Sequence, residues 1–120
     1  MLGDNGNDKL FGGTGADTLR GSAGKDTLFG DDGNDKLTGG GGADKFIFSR
    51  GDDRITDFNA ANNKEKIDLS GVNSIKSFKD LKNNHTAQDG SDLVITAANG
   101  DSLTLKGLEI GDLDKGDFIF

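Results

Sequence analysis

The chain has 120 residues, a formal net charge of −7, and neither cysteine nor proline. Its length suits one small domain, and its acidity argues against nucleic-acid binding, which requires a basic face. No apolar run is long enough for a membrane helix, and no signal peptide precedes the first motif. All but two of the 21 acidic residues are Asp, whose short carboxylates suit turns and cation cages.

A nine-residue unit repeats five times without a gap over residues 3–47. Every copy has Gly at positions one and four, Asp at position six, and Leu or Phe at position eight. A sixth, degenerate copy over residues 48–56 keeps Gly51, Asp53 and Ile55 but opens with Phe48. Nine residues are too few for a helical repeat and suit one short strand plus one tight turn. A flexible linker rich in Gly and Asp has no reason to keep such a register.

The Gly-Gly-x-Gly-x-Asp-x-apolar-x unit resembles the calcium-binding repeat of RTX proteins. Over nearly its whole length the chain is similar to the carboxyl-terminal modules of RTX proteins that Gram-negative bacteria export by type I secretion. Such modules occur in serralysin-like proteases and in alginate epimerases and lyases. The resemblance implies an all-β fold: a right-handed parallel β-roll over residues 1–56, followed by an antiparallel cap over residues 57–120. The two parts are expected to form one continuous domain with at most one short helix.

In such a roll, positions one to six make the turn and positions seven to nine make a strand whose central side chain points inward. Two units complete one coil, so residues that are 18 apart stack along one wall. The predicted inner column comprises Leu10, Leu19, Leu28, Leu37, Phe46 and Ile55.

The same spacing places the position-six aspartates of alternate repeats on one edge, about 4.8 Å apart. A calcium ion between neighbouring loops can contact both, since its oxygen ligands lie at about 2.4 Å. Four sites are therefore predicted: Asp8 with Asp26, Asp17 with Asp35, Asp26 with Asp44, and Asp35 with Asp53. Two carboxylates cannot fill six or more positions, so backbone carbonyls of the glycine turns are expected to complete each site. The expected backbone ligands are Gly6, Gly13, Gly15, Gly21, Gly24, Gly30, Gly33 and Gly39.

Without calcium we expect the repeat half to be disordered. Neighbouring carboxylates about 4.8 Å apart repel by roughly 3–4 kcal/mol at an effective dielectric near 20. A column of six apolar side chains buries little area, and 20 glycines raise the entropic cost of ordering. Cation binding and folding should therefore be coupled.

Beyond the repeats, residues 53–58 and 66–70 resemble the closing segment of the same family, with Glu65 where Asp is common. Asp57 and Asp68 adjoin the last repeat and are further candidate ligands, whereas Asp89, Asp92 and Asp101 are expected to form turns. Asn62 lies 18 residues after Asp44 and could supply a weak fifth site, although an ordinary loop is the favoured interpretation.

The remaining elements are a short helix over residues 74–82, a hairpin and a final strand. Ile75, Phe78 and Leu81 fall on one helical face. Asn99-Gly100 is a strong turn signal between the apolar runs 93–96 and 102–105, and Asp89-Gly90 marks another turn. The last four residues, one acid followed by three apolar residues, resemble the terminal secretion signal of family metalloproteases and lipases. They can also be read as the final strand.

The predicted function is a calcium-dependent folding and export module of a secreted, extracellular protein, binding about four Ca²⁺ and transiently contacting the type I machinery. The alternative is a module that binds a polysaccharide such as alginate through a basic stripe. No catalytic residue is predicted, because His85 lies alone in the polar run 82–86, which reads as a surface loop. The resemblance and the uncapped start at Met1 predict a longer parent protein with any catalytic domain upstream. The candidate basic residues are Lys9, Arg20, Lys36, Lys45, Arg50 and Arg54.

Overall fold

The computed structural model describes residues 1–60 and 64–120. Within these residues the chain forms eleven strands and one α-helix, together with short 3₁₀ turns at Ile110–Asp112 and Lys115–Asp117. None of the described helices is long and apolar enough to cross a membrane. The elements in chain order are β1 (Lys9–Phe11), β2 (Thr18–Ala23), β3 (Thr27–Phe29), β4 (Lys36–Gly41), β5 (Lys45–Ile47), β6 (Asp52–Ile55), β7 (Lys66–Asp68), α1 (Phe78–Asn84), β8 (Thr86–Asp89), β9 (Asp92–Thr96), β10 (Ser102–Leu105) and β11 (Phe118–Ile119).

Successive strands alternate between two sheets, as expected for a roll with two repeats per coil. One sheet has the order β1-β3-β5-β7-β11, and the other has the order β2-β4-β6-β10-β9-β8. Within the repeats, neighbouring strands are parallel and paired 18 residues apart, so that Leu10 lies beside Leu28 and Leu19 beside Leu37. The parallel roll predicted from the nonapeptide is confirmed.

The position-eight side chains form the core between the two sheets. Leu10 is 5 % exposed, and the five members of the column that follow it are fully buried. Burial alternates along the short strands because neighbouring side chains point to opposite faces. Beyond the column, the core continues with Phe58, Ile67 and Leu69.

Strand lengths depart from the predicted three residues in one of the two sheets. β2 and β4 each extend for six residues, and β6 begins two residues early. The additional residues pair in the same register, for example Ser22 with Gly40. Residues that the repeat pattern assigns to turns therefore also form ladder pairs.

The part after the repeats continues the roll more than predicted. β7 extends the first sheet with Phe46 beside Ile67, a spacing of 21 residues instead of 18. β10 pairs parallel with β6, and β11 pairs parallel with β7. Only the pairings of β8 with β9 and of β9 with β10 are antiparallel among the described strands. The two predicted turns, at residues 89–90 and 99–100, do connect these strands.

The helix lies a few residues later than predicted because Ser77 caps it. The Ser77 hydroxyl accepts a hydrogen bond from the Asp80 amide at 3.1 Å, so α1 begins at Phe78. Ile75 and Leu81 are buried, as predicted for the apolar face. The polar run 82–86 is not a loop, since it holds the end of α1 and the start of β8. The His85 ring Nδ1 lies 2.9 Å from the Thr96 carbonyl oxygen.

Candidate metal centre

The turns of the repeats lie along two edges of the roll. The first loop row comprises residues 3–8, 21–26 and 39–44, and the second comprises residues 12–17, 30–35 and 48–53. In each row, the position-six amide donates a hydrogen bond to the position-six carboxylate of the following coil. The Asp8 amide lies 2.8 Å from Asp26 Oδ1, and the Asp26 amide lies 3.0 Å from Asp44 Oδ1. The second row repeats this contact between Asp17 and Asp35 at 2.8 Å and between Asp35 and Asp53 at 2.9 Å.

In the five full repeats, the Oδ2 atom of the position-six carboxylate is buried and has no hydrogen-bond partner among the described residues. Burying a carboxylate oxygen without a partner is costly, so such an atom calls for a positively charged ligand. The same atom recurs in five consecutive repeats, which makes it a property of the unit. These atoms are Oδ2 of Asp8, Asp17, Asp26, Asp35 and Asp44.

The glycine at position one leaves open space beside this oxygen. A Cβ atom added to Gly3 would lie 2.8 Å from Asp8 Oδ2 and 2.7 Å from the Gly21 carbonyl oxygen. At Gly12 the equivalent distances are 3.0 Å to Asp17 Oδ2 and 2.6 Å to the Gly30 carbonyl oxygen. Carboxylate and carbonyl oxygens thus converge on the same small space, which suits Ca²⁺ because it prefers oxygen ligands at about 2.3–2.6 Å.

The glycine at position four has a different role. In all six copies its φ is positive, for example +125° at Gly24 and +136° at Gly33. The carbonyl of the preceding coil also packs so closely that a side chain at Gly24 would overlap the Gly6 oxygen. Position two is left-handed as well, yet it accepts Asp4, Ser22 and Asp31 in three copies. The sequence shows these non-glycine residues but does not reveal that their backbone is left-handed.

The predicted backbone ligands fall into two groups in the structure. The carbonyl oxygens of Gly21, Gly30 and Gly39 face the position-one spaces of Gly3, Gly12 and Gly21, where the unpartnered carboxylate oxygens lie. The Gly13 carbonyl instead accepts a hydrogen bond from the Asp32 amide at 2.9 Å. The carbonyls of the remaining candidates pack against the position-four glycine of the next coil, and these candidates are Gly6, Gly15, Gly24 and Gly33.

Asp53, in the degenerate copy, differs from the other position-six residues. Its Oδ2 accepts a hydrogen bond from the Ser49 hydroxyl at 2.7 Å, so this oxygen has a neutral partner. Burial raises the pKa of Asp53 to about 6. In the predicted site of Asp35 with Asp53, one Asp53 oxygen thus already has a hydrogen-bond partner. In the other three predicted sites the Oδ2 atoms of both aspartates have none.

At the end of the first loop row, three acids lie near one another. Asp57 accepts hydrogen bonds from the Gly39 and Gly40 amides at 2.9 and 2.8 Å. Glu65 is buried, and its Oε2 lies 2.5 Å from the Asn59 amide. Burial, with a contribution from the Asp57 and Asp44 carboxylates, raises the pKa of Glu65 to about 7. Burial also raises the pKa of Asp44. The Asn62 hypothesis lies outside the described residues.

Acidic and histidine side chains do not supply a complete metal site on their own. In residues 1–60 and 64–120, no three His, Cys, Asp or Glu side chains converge closely enough to hold an ion. An ion bound at these rows would therefore also need backbone carbonyl ligands. The other acids serve structural contacts: Asp68 binds the Ser70 amide and hydroxyl, Asp92 binds Arg54 and the Gly107 amide, and Asp101 binds the Gly51 amide.

The basic residues considered for polysaccharide binding do not form one stripe. Lys9 and Lys45 lie on strands of the first sheet, whereas Arg20, Lys36 and Arg54 lie on the second. Arg54 is paired with Asp92 at 3.1 Å. Arg50 belongs to the second loop row and lies 3.5 Å from Asp32. The six residues are therefore divided between the two sheets and one loop row, with Lys36 and Arg54 side by side in the second sheet.

Together these features define a parallel β-roll whose two loop rows carry buried, unpartnered carboxylate oxygens. Residues 2–37 and, overlapping them, residues 21–55 each match a family model that describes four copies of the RTX calcium-binding nonapeptide repeat. This stretch of the chain is therefore an array of RTX repeats, and RTX repeats bind calcium.

Solved structures show the same fold. The extracellular lipase LipA from Serratia marcescens matches with a TM-score of 0.61 and 24 % identity, over 96 % of this chain and 20 % of the lipase chain. The AlgE6R2 subunit of the Azotobacter vinelandii mannuronan C5-epimerase matches with a TM-score of 0.50 and 23 % identity, over 100 % of this chain and 91 % of that subunit. The chain thus spans about a fifth of the lipase. A search of curated protein sequences found no significant match.

Proposed function

We propose that this chain is a calcium-binding module that folds when it binds Ca²⁺ outside the cell. The observation that carries the proposal is the row of buried, unpartnered Oδ2 atoms in five successive repeats. Each lies beside a position-one glycine, and in the first three repeats a carbonyl oxygen of the next coil lies there too. These are the ligand types and the enclosure that Ca²⁺ requires.

The ligands that we propose are the position-six aspartates with the facing carbonyls. Three sites pair Asp8 with Asp26, Asp17 with Asp35, and Asp26 with Asp44. The fourth pairs Asp35 with Asp53 and should be the weakest of the four, because Ser49 already binds one Asp53 oxygen. About four ions per chain follow from this arrangement.

The same electrostatics explain why the fold should depend on the metal. Without cations, the buried Oδ2 atoms of the first three repeats each lie close to a carbonyl oxygen, and both atoms are hydrogen-bond acceptors. Closing the loops is therefore unfavourable while these carboxylates are charged and no metal is bound. The free energy of Ca²⁺ binding then supplies the free energy of folding.

We infer that this dependence serves secretion by a type I system of a Gram-negative bacterium. In the cytosol, scarce calcium would leave the repeat half unfolded and competent for export, and calcium outside the cell would fold it. In this proposal residues 1–56 form the calcium-binding roll, and residues 57–120 form the cap and carry the secretion signal, with both parts in one domain. We assign no catalysis to the chain and place any catalytic domain upstream in a larger parent protein.

A calcium titration followed by circular dichroism tests the proposal. The strand signal should be weak in metal-free buffer and should rise with Ca²⁺, and Mg²⁺ should not replace it. Asp26→Asn should weaken calcium-induced folding several-fold more than Asp8→Asn, because Asp26 takes part in two proposed sites and Asp8 in one. A full strand signal in chelator would refute the proposal, and equal effects of the two variants would refute the shared ligands.

A further inference from the structure

The first loop row does not stop at its last repeat. The Lys66 amide donates to the Asp44 carbonyl at 2.9 Å, just as the Lys45 amide donates to the Asp26 carbonyl at 2.8 Å. Lys45 lies beside Lys66 in the ladder, so the residue before Lys66 takes the position that Asp44 holds in its own coil. That residue is Glu65, an acid three residues out of the repeat register.

Glu65 has the environment of a ligand and not of a surface acid. Its side chain is 3 % exposed, compared with 1 % for Asp44 and Asp26. Glu65 follows Asp44 by 21 residues instead of 18, and a longer Glu side chain stands where the repeats have Asp. Asp57 holds this loop against the preceding one through the amides of Gly39 and Gly40.

Asp44 supplies an independent reason to place a cation here. Its Oδ1 accepts a hydrogen bond from the Asp26 amide, but its Oδ2 is buried without a partner. In the second loop row the corresponding end is closed differently, because the Ser49 hydroxyl satisfies Asp53. Nothing equivalent to Ser49 reaches Asp44 Oδ2 among the described residues.

We propose that Asp44 and Glu65 hold a fifth Ca²⁺ ion between the last full repeat and the cap, with Asp57 as a neighbouring carboxylate and backbone carbonyls as further ligands. This inference rests on the proposed calcium-binding function of the roll. It adds that docking of the cap is itself linked to calcium, because Glu65 immediately precedes β7 and β7 carries β11.

Glu65→Gln tests the site, because the amide keeps the size and the acceptor oxygen of the side chain and removes its charge. Glu109→Gln is the matched control, since Glu109 is exposed and is the only other Glu in the chain. Calcium bound per chain is counted by equilibrium dialysis of the full chain. Hydrogen exchange followed by mass spectrometry then reports on the roll and the cap separately.

The wild type and Glu109→Gln should bind one more ion than Glu65→Gln. At saturating calcium, Glu65→Gln should lose amide protection in β7 and β11 and keep it in β1 to β5. In metal-free buffer the variant should be at least as ordered as the wild type, because a buried carboxylate has been neutralised. An unchanged ion count in Glu65→Gln would overturn the fifth site and leave the other four standing. A wild type that binds no calcium would overturn the proposed function as well.

Discussion

In each full nonapeptide, the glycine at position one lies against the aspartate side chain at position six, so a larger residue at position one would collide with that carboxylate. Gly21 has no positive φ, and its role is to leave space, since a Cβ there would overlap Asp26 Oδ2 and lie 2.7 Å from the Gly39 carbonyl oxygen. Position four, by contrast, requires glycine for its backbone angle in every copy, and from Gly24 onward it also requires glycine for packing against the preceding coil. The sequence shows an invariant glycine in both places but cannot separate the two causes, because both look like turn formers.

Gly21→Ala should therefore abolish or strongly weaken calcium-induced folding. The added methyl group occupies the space between the carboxylate and the carbonyl, and overpacking of this kind costs about 1–3 kcal/mol. Gly41→Ala is the matched control, since a Cβ there meets nothing within 4 Å. Calcium titration of both variants by circular dichroism checks this prediction. Similar midpoints for the two would show that the position-one space is not part of the site.

At the level of elements, an acid outside the repeats binds backbone amides in the last coil of each loop row. Asp57 binds the amides of Gly39 and Gly40 in the first row, and Asp101 binds the Gly51 amide at 3.0 Å in the second. The sequence predicts the turn containing Asp101 from Asn99-Gly100, a local signal. It does not predict that β10 joins β6, because that pairing depends on contacts about 50 residues apart.

Asp101→Ala should destabilise the calcium-loaded protein by about 1.5–3 kcal/mol, the usual contribution of a hydrogen bond to a charged group. Asp89→Ala, in the exposed end of β8, should change the stability by less than about 0.5 kcal/mol. Urea unfolding at saturating calcium measures both values. Equal losses in the two variants would mean that Asp101 only forms a turn and does not close the second loop row.

For the whole molecule, burial of acids couples folding to protons as well as to cations. Burial raises the pKa of Asp53 from 3.8 to about 6 and that of Glu65 from 4.5 to about 7. A raised pKa means that the folded form binds the proton more tightly than the unfolded form does. The metal-free fold is therefore favoured at low pH and loses stability as the pH rises from about 4 to about 7. The composition shows many acids but cannot show which of them are buried.

Calcium must displace these protons, so its affinity should increase with pH. Between pH 5.5 and pH 7.5 we expect the calcium concentration at the folding midpoint to fall on the order of tenfold. In buffer stripped of metal, acidification should conversely increase the strand signal. Titrations by circular dichroism at several pH values measure both effects, and a midpoint that is independent of pH would contradict the coupling.

The hydrogen bonds between position-six residues all run in one direction along the chain. The Asp8 amide donates to Asp26, and the Asp26 amide donates to Asp44, so each coil finds its acceptor in the coil that follows it in sequence. An ordered coil thus offers a ready template to the coil before it. In a repeat array each unit contacts only its neighbours, so folding can propagate from one unit to the next. Here it should propagate coil by coil from the carboxyl-terminal end of the roll toward its start.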